Sequence, residues 1–282
     1  MRFALSTAPQ MCTWDEMLAV WQTADDIDVY ESGWTFDHFE PIMGSPRDGD
    51  CLEGWMTLAA LLHSTKRLRG GVLVTGMVYR HPAVLAKMAA TLDITSGGRL
   101  ELGIGAAWNE AECASYGIEL GSVRERCDRF GEGLELLRLL LSQPQSSFDG
   151  EYFQLQDAYC NPKPLQAKLP ICIGGSGEKR TLPLVARYAD HWNFGTAAKD
   201  PIAELRHKRT ILEAHCGRIG RDPAEIAISA LLFGPALSIE ELVDLAHRYD
   251  AEGVDLGIVS LPRPFTPHDV ERFATALQTL AS

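Results

Sequence analysis

Residues 69–110 restrict the possible folds of this chain more than any other stretch, because they contain a complete strand–helix–strand unit. Residues 72–74 form a short run rich in β-branched side chains, which is typical of a strand buried on both faces. Pro82 is placed to begin a helix, the glycine pair at 97–98 ends it, and residues 100–105 form the next strand. Such units build parallel sheets, and functional groups gather at the carboxyl ends of their strands.

The same alternation continues along the chain and predicts eight strands and eight helices. This order is typical of an α/β fold of the (β/α)8 TIM-barrel type, here as a single domain over residues 1–282. Loops near residues 40–53 and 145–168 interrupt the alternation, and the second is expected to hold a short hairpin. Because alternation alone does not prove that a sheet closes, a doubly wound open sheet is the alternative fold.

Charge and cysteine content narrow the partners. The chain has 26 Lys and Arg residues against 38 Asp and Glu residues, a net charge of −12, which argues against a nucleic-acid or anionic membrane surface. Its seven cysteines are scattered without a CxxC pair, as expected for reduced thiols and not for a metal site. With no apparent signal segment or membrane span, we expect a cytoplasmic protein that acts on a small molecule.

A glycine-rich turn, Gly174-Gly175-Ser176, lies between a predicted strand and a predicted helix and is called the Gly174 turn below. Glycines allow backbone N–H groups to approach an anion, and the following helix dipole favours negative charge. Lys179 and Arg180 are close enough in sequence to assist. The alternative interpretation, an ordinary tight turn, explains the spacing equally well.

A second glycine-containing strand end covers residues 103–110. Asn109 and Glu110 carry side chains able to hydrogen-bond a planar polar ring or the tail attached to it. Alternatively, Gly103 and Gly105 are needed only for close packing at the rim of a barrel.

Asp37 and His38 directly follow the second predicted strand, which makes His38 a candidate for proton transfer near neutral pH. Asp37 would fix its tautomer or bind a ligand; alternatively, both residues only hold the loop. Arg80 would place a cation at the rim or pair with the acidic surface, and Glu53 is interpreted as a solvated carboxylate. Several tryptophans are candidates for a ring-binding wall, although core packing is the preferred interpretation for Trp34, Trp55, Trp108 and Trp192.

Taken together, these stretches resemble the bacterial luciferase-like flavin oxidoreductase family, and more closely its branch that uses the deazaflavin coenzyme F420. The resemblance covers residues 3–195 well and the remainder weakly. It is carried, in this order, by Thr35-Phe36-Asp37-His38-Phe39, Val74-Thr75, Tyr79-Arg80-His81-Pro82-Ala83-Val84, Leu92-Asp93, Ser96-Gly97-Gly98-Arg99-Leu100, Gly103-Ile104-Gly105, Trp108-Asn109-Glu110-Ala111-Glu112, Ile173-Gly174-Gly175-Ser176-Gly177 and Arg187-Tyr188-Ala189-Asp190.

The resemblance implies a luciferase-like TIM barrel that binds a flavin-type ring at the carboxyl ends of its strands. It implies that Asp37 and Thr75 contact the ring, and that a non-prolyl cis peptide at Val72–Leu73 supports it. The family's GxGxGW pattern departs here at Ala107, whose Cβ is expected to shift the loop or crowd the path of the phosphate.

The resemblance also implies which residues contact the rest of the cofactor and which residue exchanges the proton. His38 matches a position that touches substrate or relays a proton in several members. The resemblance implies that the side chain of the cofactor is held by Gly105, Ala106 and Asn109. It implies that the phosphate is held by Gly174, Gly175 and Ser176.

The sequence therefore predicts an oxidoreductase that transfers a hydride between coenzyme F420 and a small organic substrate, with His38 exchanging the accompanying proton. An FMN-dependent monooxygenase on the same barrel is the first alternative, because both cofactors carry a phosphate near the Gly174 turn. A flavin-free isomerase or binding protein is the second. A homodimer is expected by resemblance, whereas the identity of the substrate does not follow from the sequence.

Overall fold

The computed structural model describes residues 1–233 and 238–281, and within them eight parallel strand positions close into a barrel. Two more strands form a separate antiparallel hairpin. The strands are β1 (Arg2–Ser6), β2 (Tyr30–Thr35), β3 (Arg69–Val72), β4 (Thr75–Gly76), β5 (Leu100–Gly105), β6 (Ser146–Asp149), β7 (Gln154–Ala158), β8 (Ile171–Gly174), β9 (His191–Phe194), β10 (Ala227–Leu232) and β11 (Leu256–Ser260).

Helices pack around the outside of the barrel. Within the described part of the chain, none of them is long and apolar enough to cross a membrane. The helices are α1 (Trp14–Asp25), α2 (Gly54–Ser64), α3 (Pro82–Thr95), α4 (Glu110–Ser115), α5 (Val123–Ser142), α6 (Thr181–Tyr188), α7 (Pro201–Ile219), α8 (Ile239–Ala251) and α9 (Pro267–Leu277), with a 3-10 turn at Pro223–Glu225.

The barrel closes where β3 and β4 share one neighbour. Gly70 of β3 pairs with Leu100 of β5, and Thr75 of β4 pairs with Ile104 farther along the same strand. The segments β3 and β4 are therefore one interrupted strand, and the closed (β/α)8 prediction is confirmed over the open-sheet alternative. The interruption falls after Val72, so the predicted continuous strand over residues 72–74 is wrong.

Several helix starts follow from capping chemistry visible in the sequence. Thr13 and Ser238 each form a capping box, in which the hydroxyl accepts from the third helical N–H and a glutamate accepts from the backbone of the cap. Pro82 begins α3, where its missing N–H has no cost. The predicted hairpin within residues 145–168 is confirmed as β6 and β7.

The barrel interior is filled by side chains, as is usual for this fold. Trp34 is fully buried and packs with Ala4, Cys172 and Ile258. Its ring fits because the neighbouring strand has Gly71: a Cβ there would lie 2.4 Å from the indole Cζ3. This packing fills part of the barrel interior with side chains.

An ion-paired cluster lies at the amino end of the strands. Glu101 accepts from Arg69 Nε at 2.9 Å and faces His191 Nδ1 at 3.6 Å. Burial alone would lower the pKa of His191, but contacts with Cys172 and the Glu101 carboxylate overcome that effect and raise it to about 10. This cluster is on the face opposite to the one that carries His38, so it belongs to the packing of the barrel and not to the cavity described next.

Candidate active site

A cavity of about 430 Å³ opens at the carboxyl ends of the strands, within the size range of ligand pockets. Every barrel strand position except β11 contributes to it, either directly or through the loop that follows the strand. The lining residues are Ser6, Ala8, Phe36, His38, Ile42, Met43, Leu73, Val74, Gly76, Tyr79, Gly105, Ala106, Ala107, Trp108, Gly174, Gly175, Thr181, Asn193 and Leu231.

The interrupted strand supplies one wall of the cavity. Its non-prolyl cis peptide joins Leu73 to Val74, and both residues line the cavity. The expected position, Val72–Leu73, is therefore wrong by one residue. The physical reason is that the strand ladder reaches Leu73, whose N–H donates to the Thr35 carbonyl at 2.8 Å, so the irregular bond comes only after it.

His38 is held in place by a buried carboxylate, Glu112, to which the sequence analysis gave no role. The Nδ1 atom of His38 lies 2.9 Å from Glu112 Oε2, and the Tyr79 hydroxyl donates to the same oxygen at 2.8 Å. The other oxygen accepts from the backbone N–H groups of Phe39 at 2.7 Å and Glu40 at 3.3 Å. Glu112 is thus fully buried with four donors around it.

This arrangement fixes the tautomer of His38. Burial opposes the charge of Glu112, but its hydrogen bonds to His38, Tyr79 and Phe39 more than offset burial and hold its pKa below the ordinary value. An ionised carboxylate only accepts hydrogen bonds, so His38 must carry a proton on Nδ1. Its Nε2 is then free to accept or release a proton, as a general acid or base requires.

Two aromatic rings orient the same imidazole. His38 makes edge contacts with Phe36, at a centroid distance of 5.1 Å, and with Trp108, at 5.4 Å. Trp108 is half exposed and lines the cavity, whereas Trp34, Trp55 and Trp192 are buried, as core packing requires. Of the four candidate tryptophans, only Trp108 belongs to the cavity wall.

Asp37 lies behind the cavity wall, in an ion-pair network. Both of its oxygens accept from Arg80, at 2.5 and 2.9 Å, and Arg80 also donates to Glu53 at 2.6 Å. Burial raises the pKa of Asp37, although the guanidinium opposes this rise. Glu53 is not simply solvated, because it also caps α2 by accepting from the Met56 N–H. The network locks the loop after β2 against the loop after β4.

Three other expected contacts to a ring or its tail also lie outside the cavity wall. Thr75 is buried and accepts from the Trp55 indole at 2.8 Å. Val72 is a buried residue of β3. Asn109 caps α4, a short helix that the sequence analysis missed, by accepting from the Glu112 N–H at 3.3 Å. Asn109 thereby helps to place the carboxylate that holds His38.

The glycine-rich turn borders the opposite end of the cavity, where Gly174 and Gly175 line the wall. Gly175 has φ +107°, a backbone conformation that favours glycine. Within residues 1–233 and 238–281, the N–H groups of Ser176 and Gly177 have no protein acceptor. Arg180 pairs with Asp128 at 2.5 Å, and Lys179 is exposed, so the backbone N–H groups are the donors built into the turn itself.

The strand end at 103–107 has residues that are needed for packing as well as residues that face the cavity. A Cβ on Gly103 would lie 1.9 Å from the Val72 carbonyl oxygen, so this glycine is required by packing. Gly105 and Ala106 line the cavity. Ala107 has φ +67°, in the region that usually favours glycine, so the departure at this position is accommodated in a left-handed conformation.

Of the expected site residues, the structure brings six to the cavity wall and leaves five behind or beside it. Those on the wall are His38, Leu73, Gly105, Ala106, Gly174 and Gly175, and those off it are Asp37, Val72, Thr75, Asn109 and Ser176. Sequence reasoning did not assign Tyr79 or Glu112 a role. Both residues follow predicted strand ends along the chain, and this position is the sequence signal that could have marked them as site residues. Nothing in the sequence shows that they meet at one imidazole.

Comparison with known proteins gives a consistent picture. A family model described as luciferase-like monooxygenase matches residues 2–276. An uncharacterized protein of Mycobacterium tuberculosis is 35% identical over 211 residues, which are 75% of this chain and 70% of that protein. An F420-dependent hydroxymycolic acid dehydrogenase of the same organism is 32% identical over 231 residues, covering 79% of this chain and 60% of the relative.

Other relatives match over shorter stretches. An F420-dependent glucose-6-phosphate dehydrogenase of Amycolatopsis mediterranei is 34% identical, covering 56% of this chain and 46% of the relative. The pyrimidine monooxygenase RutA of Stutzerimonas stutzeri is 34% identical, covering 50% of this chain and 39% of the relative. Among solved structures, an F420-dependent secondary alcohol dehydrogenase superposes with a TM-score of 0.88 at 20% identity, covering 100% of this chain and 99% of that one. That last likeness supports the fold.

Replacing the carboxylate beneath His38 tests whether it fixes the ring. We predict that Glu112→Gln lowers the free energy of unfolding by about 1–3 kcal/mol, because an amide nitrogen would face the His38 and Tyr79 donors. His38 would then change tautomer, with its proton moving to Nε2, which nitrogen NMR of the imidazole reports. The matched control is Glu110→Gln, an exposed carboxylate on the same helix.

The direction of the Glu112 pKa shift adds a pH dependence. Because the folded-state pKa is lowered from 4.5, the stabilisation is fully present above that pH and is lost as the pH falls through the folded value. The gap in unfolding free energy between the native chain and Glu112→Gln should therefore narrow below pH 4.5. A gap that is equal at all pH values, or an unchanged His38 tautomer, contradicts the assignment.

Proposed function

Because the chain belongs to the luciferase-like monooxygenase family, we propose that it is an oxidoreductase that transfers a hydride between coenzyme F420 and a small organic substrate. The observation that carries the proposal is one continuous cavity with His38, held in a single tautomer, at one end and the Gly174 turn at the other. Backbone donors suit a phosphate-ended tail, and an imidazole in the same cavity suits the proton transfer that accompanies a hydride.

The relatives support the deazaflavin over the flavin. The relative named as an F420-dependent hydroxymycolic acid dehydrogenase matches 79% of this chain, whereas the relative named as a pyrimidine monooxygenase matches 50%. The identities are similar, so the longer match carries more weight. The chain therefore shares more of its length with an F420-dependent relative than with a monooxygenase.

The residues present suit a phosphate-tailed cofactor. Two backbone N–H groups, from Ser176 and Gly177, have no protein acceptor among the described residues and lie just ahead of α6. Gly174 and Gly175 carry no side chain that would separate the backbone from a ligand in the cavity. We assign the phosphate of the cofactor to this turn, where the Ser176 hydroxyl is a further donor. We assign the tail of the cofactor to the stretch near Gly105, Ala106 and Asn109.

The ring is assigned to the wall formed by Leu73 and Val74. Asp37 and Thr75 support that wall from behind, through Arg80 and Trp55 respectively, and Val72 anchors it in β3. When bound, coenzyme F420 supplies the hydride chemistry, and the protein supplies position and electrostatics. The aromatic and aliphatic side chains of the cavity limit the entry of water to the reacting atoms.

His38 handles the proton that accompanies the hydride. Its Nε2 is the ring nitrogen that Glu112 does not contact, so this atom exchanges the proton with the substrate oxygen or carbon. Glu112 stabilises the imidazolium when His38 takes up the proton, and Tyr79 shares the same carboxylate oxygen. The catalytic residue is thus His38, with Glu112 and Tyr79 positioning it.

An FMN-dependent monooxygenase is the second candidate. It is favoured by the relative named RutA and by the fact that a phosphate-gripping turn fits either cofactor. A deazaflavin reacts poorly with oxygen because a carbon replaces the reactive ring nitrogen. The identity of the bound cofactor therefore separates the two candidates.

Cofactor titration tests the proposal directly. We predict that the purified protein binds coenzyme F420 more tightly than FMN, measured by fluorescence quenching. Gly175→Ala should weaken this binding about tenfold or more, since φ +107° is strained for alanine and the turn must shift. The control is Gly253→Ala, at φ +72° with nothing within 4 Å of a new Cβ, which places an alanine at positive φ away from the cavity.

The outcomes separate the candidates. Tight FMN binding without F420 binding would establish the monooxygenase alternative. Binding of neither cofactor favours the flavin-free class of isomerases or binding proteins. Equal losses in Gly175→Ala and Gly253→Ala would show that the Gly174 turn has no direct part in binding.

A second experiment tests the proton role. We predict that His38→Ala binds cofactor within about threefold of the native affinity but loses about a hundredfold in kcat, the usual contribution of a general acid or base. His63→Ala, an exposed histidine on the outer side of α2, is the control and should keep its turnover. Full turnover in His38→Ala with normal cofactor binding would remove the proposed role.

A further inference from the structure

The cavity has no charged carboxylate, ammonium or guanidinium group on its wall. Among residues 1–233 and 238–281, none of the lining side chains belongs to Asp, Glu, Lys or Arg. The titratable lining groups are the His38 imidazole and the Tyr79 phenol, and both are already bonded to Glu112. A charged group on a substrate would therefore lose its hydration in this cavity without gaining a salt bridge.

The charges directly behind the wall disfavour anions in particular. Asp37, Glu53 and Glu112 contribute three carboxylates, and Arg80 contributes one guanidinium, so two negative charges remain in excess. Protonation of His38 would reduce this excess to one. The net charge of these groups is negative in either case, and their repulsion adds to the cost of dehydrating an anion near His38.

An adjoining cleft of about 240 Å³ does not supply the missing cation. It shares Ile42, Met43 and Trp108 with the main cavity, and it contains Arg47. Arg47 is already committed, because it pairs with Glu40 at 2.6 Å and donates to Ser115 at 2.7 Å. The cleft thus extends the space beyond Trp108 without adding net positive charge.

We propose that the substrate is an uncharged, largely apolar molecule. Its reacting group faces His38, and its apolar body packs against Phe36, Ile42, Met43 and Trp108. This inference rests on the proposed function, since the cofactor is assigned to the Leu73 wall and the Gly174 turn, which leaves the His38 end for the substrate. It distinguishes this chain from a relative that is named for a sugar phosphate.

Calorimetric binding to the cofactor-saturated protein tests the inference without a turnover assay. Saturation keeps anions away from the Gly174 turn. The ligands are 2-hydroxy acids of graded size, from 2-hydroxybutanoate to 2-hydroxydecanoate and including mandelate, each paired with its methyl ester. The ester removes the charge, adds one methyl group and otherwise keeps the molecule unchanged. We expect the esters to bind about a hundredfold more tightly than the acids, because a carboxylate here is dehydrated and unpaired.

A charge introduced at the cavity rim provides the second test. Met43 lines the cavity and is 76% exposed, so Met43→Lys places a cation at the rim without burying it. Met56 on α2 is 73% exposed and lies outside the cavity, so Met56→Lys is the matched control with the same change in net charge. Met43→Lys should lower the ratio of ester affinity to acid affinity about tenfold, and Met56→Lys should leave this ratio unchanged.

Each outcome of these two tests either supports or overturns the inference that the substrate is uncharged. Acids that bind as tightly as their esters overturn the inference while cofactor binding still upholds the proposed function. Esters that all fail to bind at about 10 mM also overturn it, since an apolar cavity holds apolar molecules of fitting size. Equal effects of the two lysine variants show that the charges around the cavity do not select the ligand. Failure to bind either cofactor overturns the proposed function, and this inference falls with it.

Discussion

The buried Glu112 carboxylate holds together three separate strand ends of this site. It accepts from the loop after β2 through His38 and two backbone N–H groups, and from the loop after β4 through Tyr79. Its own position is set by α4, which follows β5 and is capped by Asn109. An ionised group that is fully buried persists only when its hydrogen-bonding capacity is met, so these contacts depend on each other. The orientation of His38 is a consequence of that requirement.

The other charged groups near the site obey the same rule. Arg80 joins Asp37 to Glu53, and Arg47 pairs with Glu40. Each cation is therefore used to fix a loop, and the cavity wall is left to aromatic, aliphatic and glycine residues. A wall of this kind can hold a planar ring and an apolar molecule side by side, while the backbone of the Gly174 turn supplies the donors that a phosphate needs. The division between charged loops and an uncharged cavity connects the fold to the proposed chemistry.

The sequence predicted the architecture well because hydrophobic periodicity and capping chemistry are local signals. Pro82, for example, marks a helix start that the structure confirms. The cis peptide was placed one residue too early, since the register of the strand ladder at Leu73 depends on pairing with Thr35, which is distant in sequence. Likewise, the sequence did not show that Asp37 lies behind the cavity wall and pairs with Arg80.

Residues that meet only through the closure of the barrel were the hardest to predict. Glu112 is 74 residues from His38 in sequence, and the short helix that carries it has too few residues to show periodicity. The wall residues Ile42 and Met43 lie in a loop without a recognisable pattern. The absence of charge from the described cavity wall is a property of the assembled site, so it became visible only in three dimensions.

We propose that one cavity holds the phosphate at the Gly174 turn and presents the ring to His38. A crystal structure of the protein with coenzyme F420 would show this arrangement. We expect the phosphate within hydrogen-bonding distance of the Ser176 and Gly177 N–H groups, the ring against Leu73 and Val74, and His38 Nε2 facing its open side. A cofactor bound elsewhere, or a ring whose reactive face points away from His38, would contradict it.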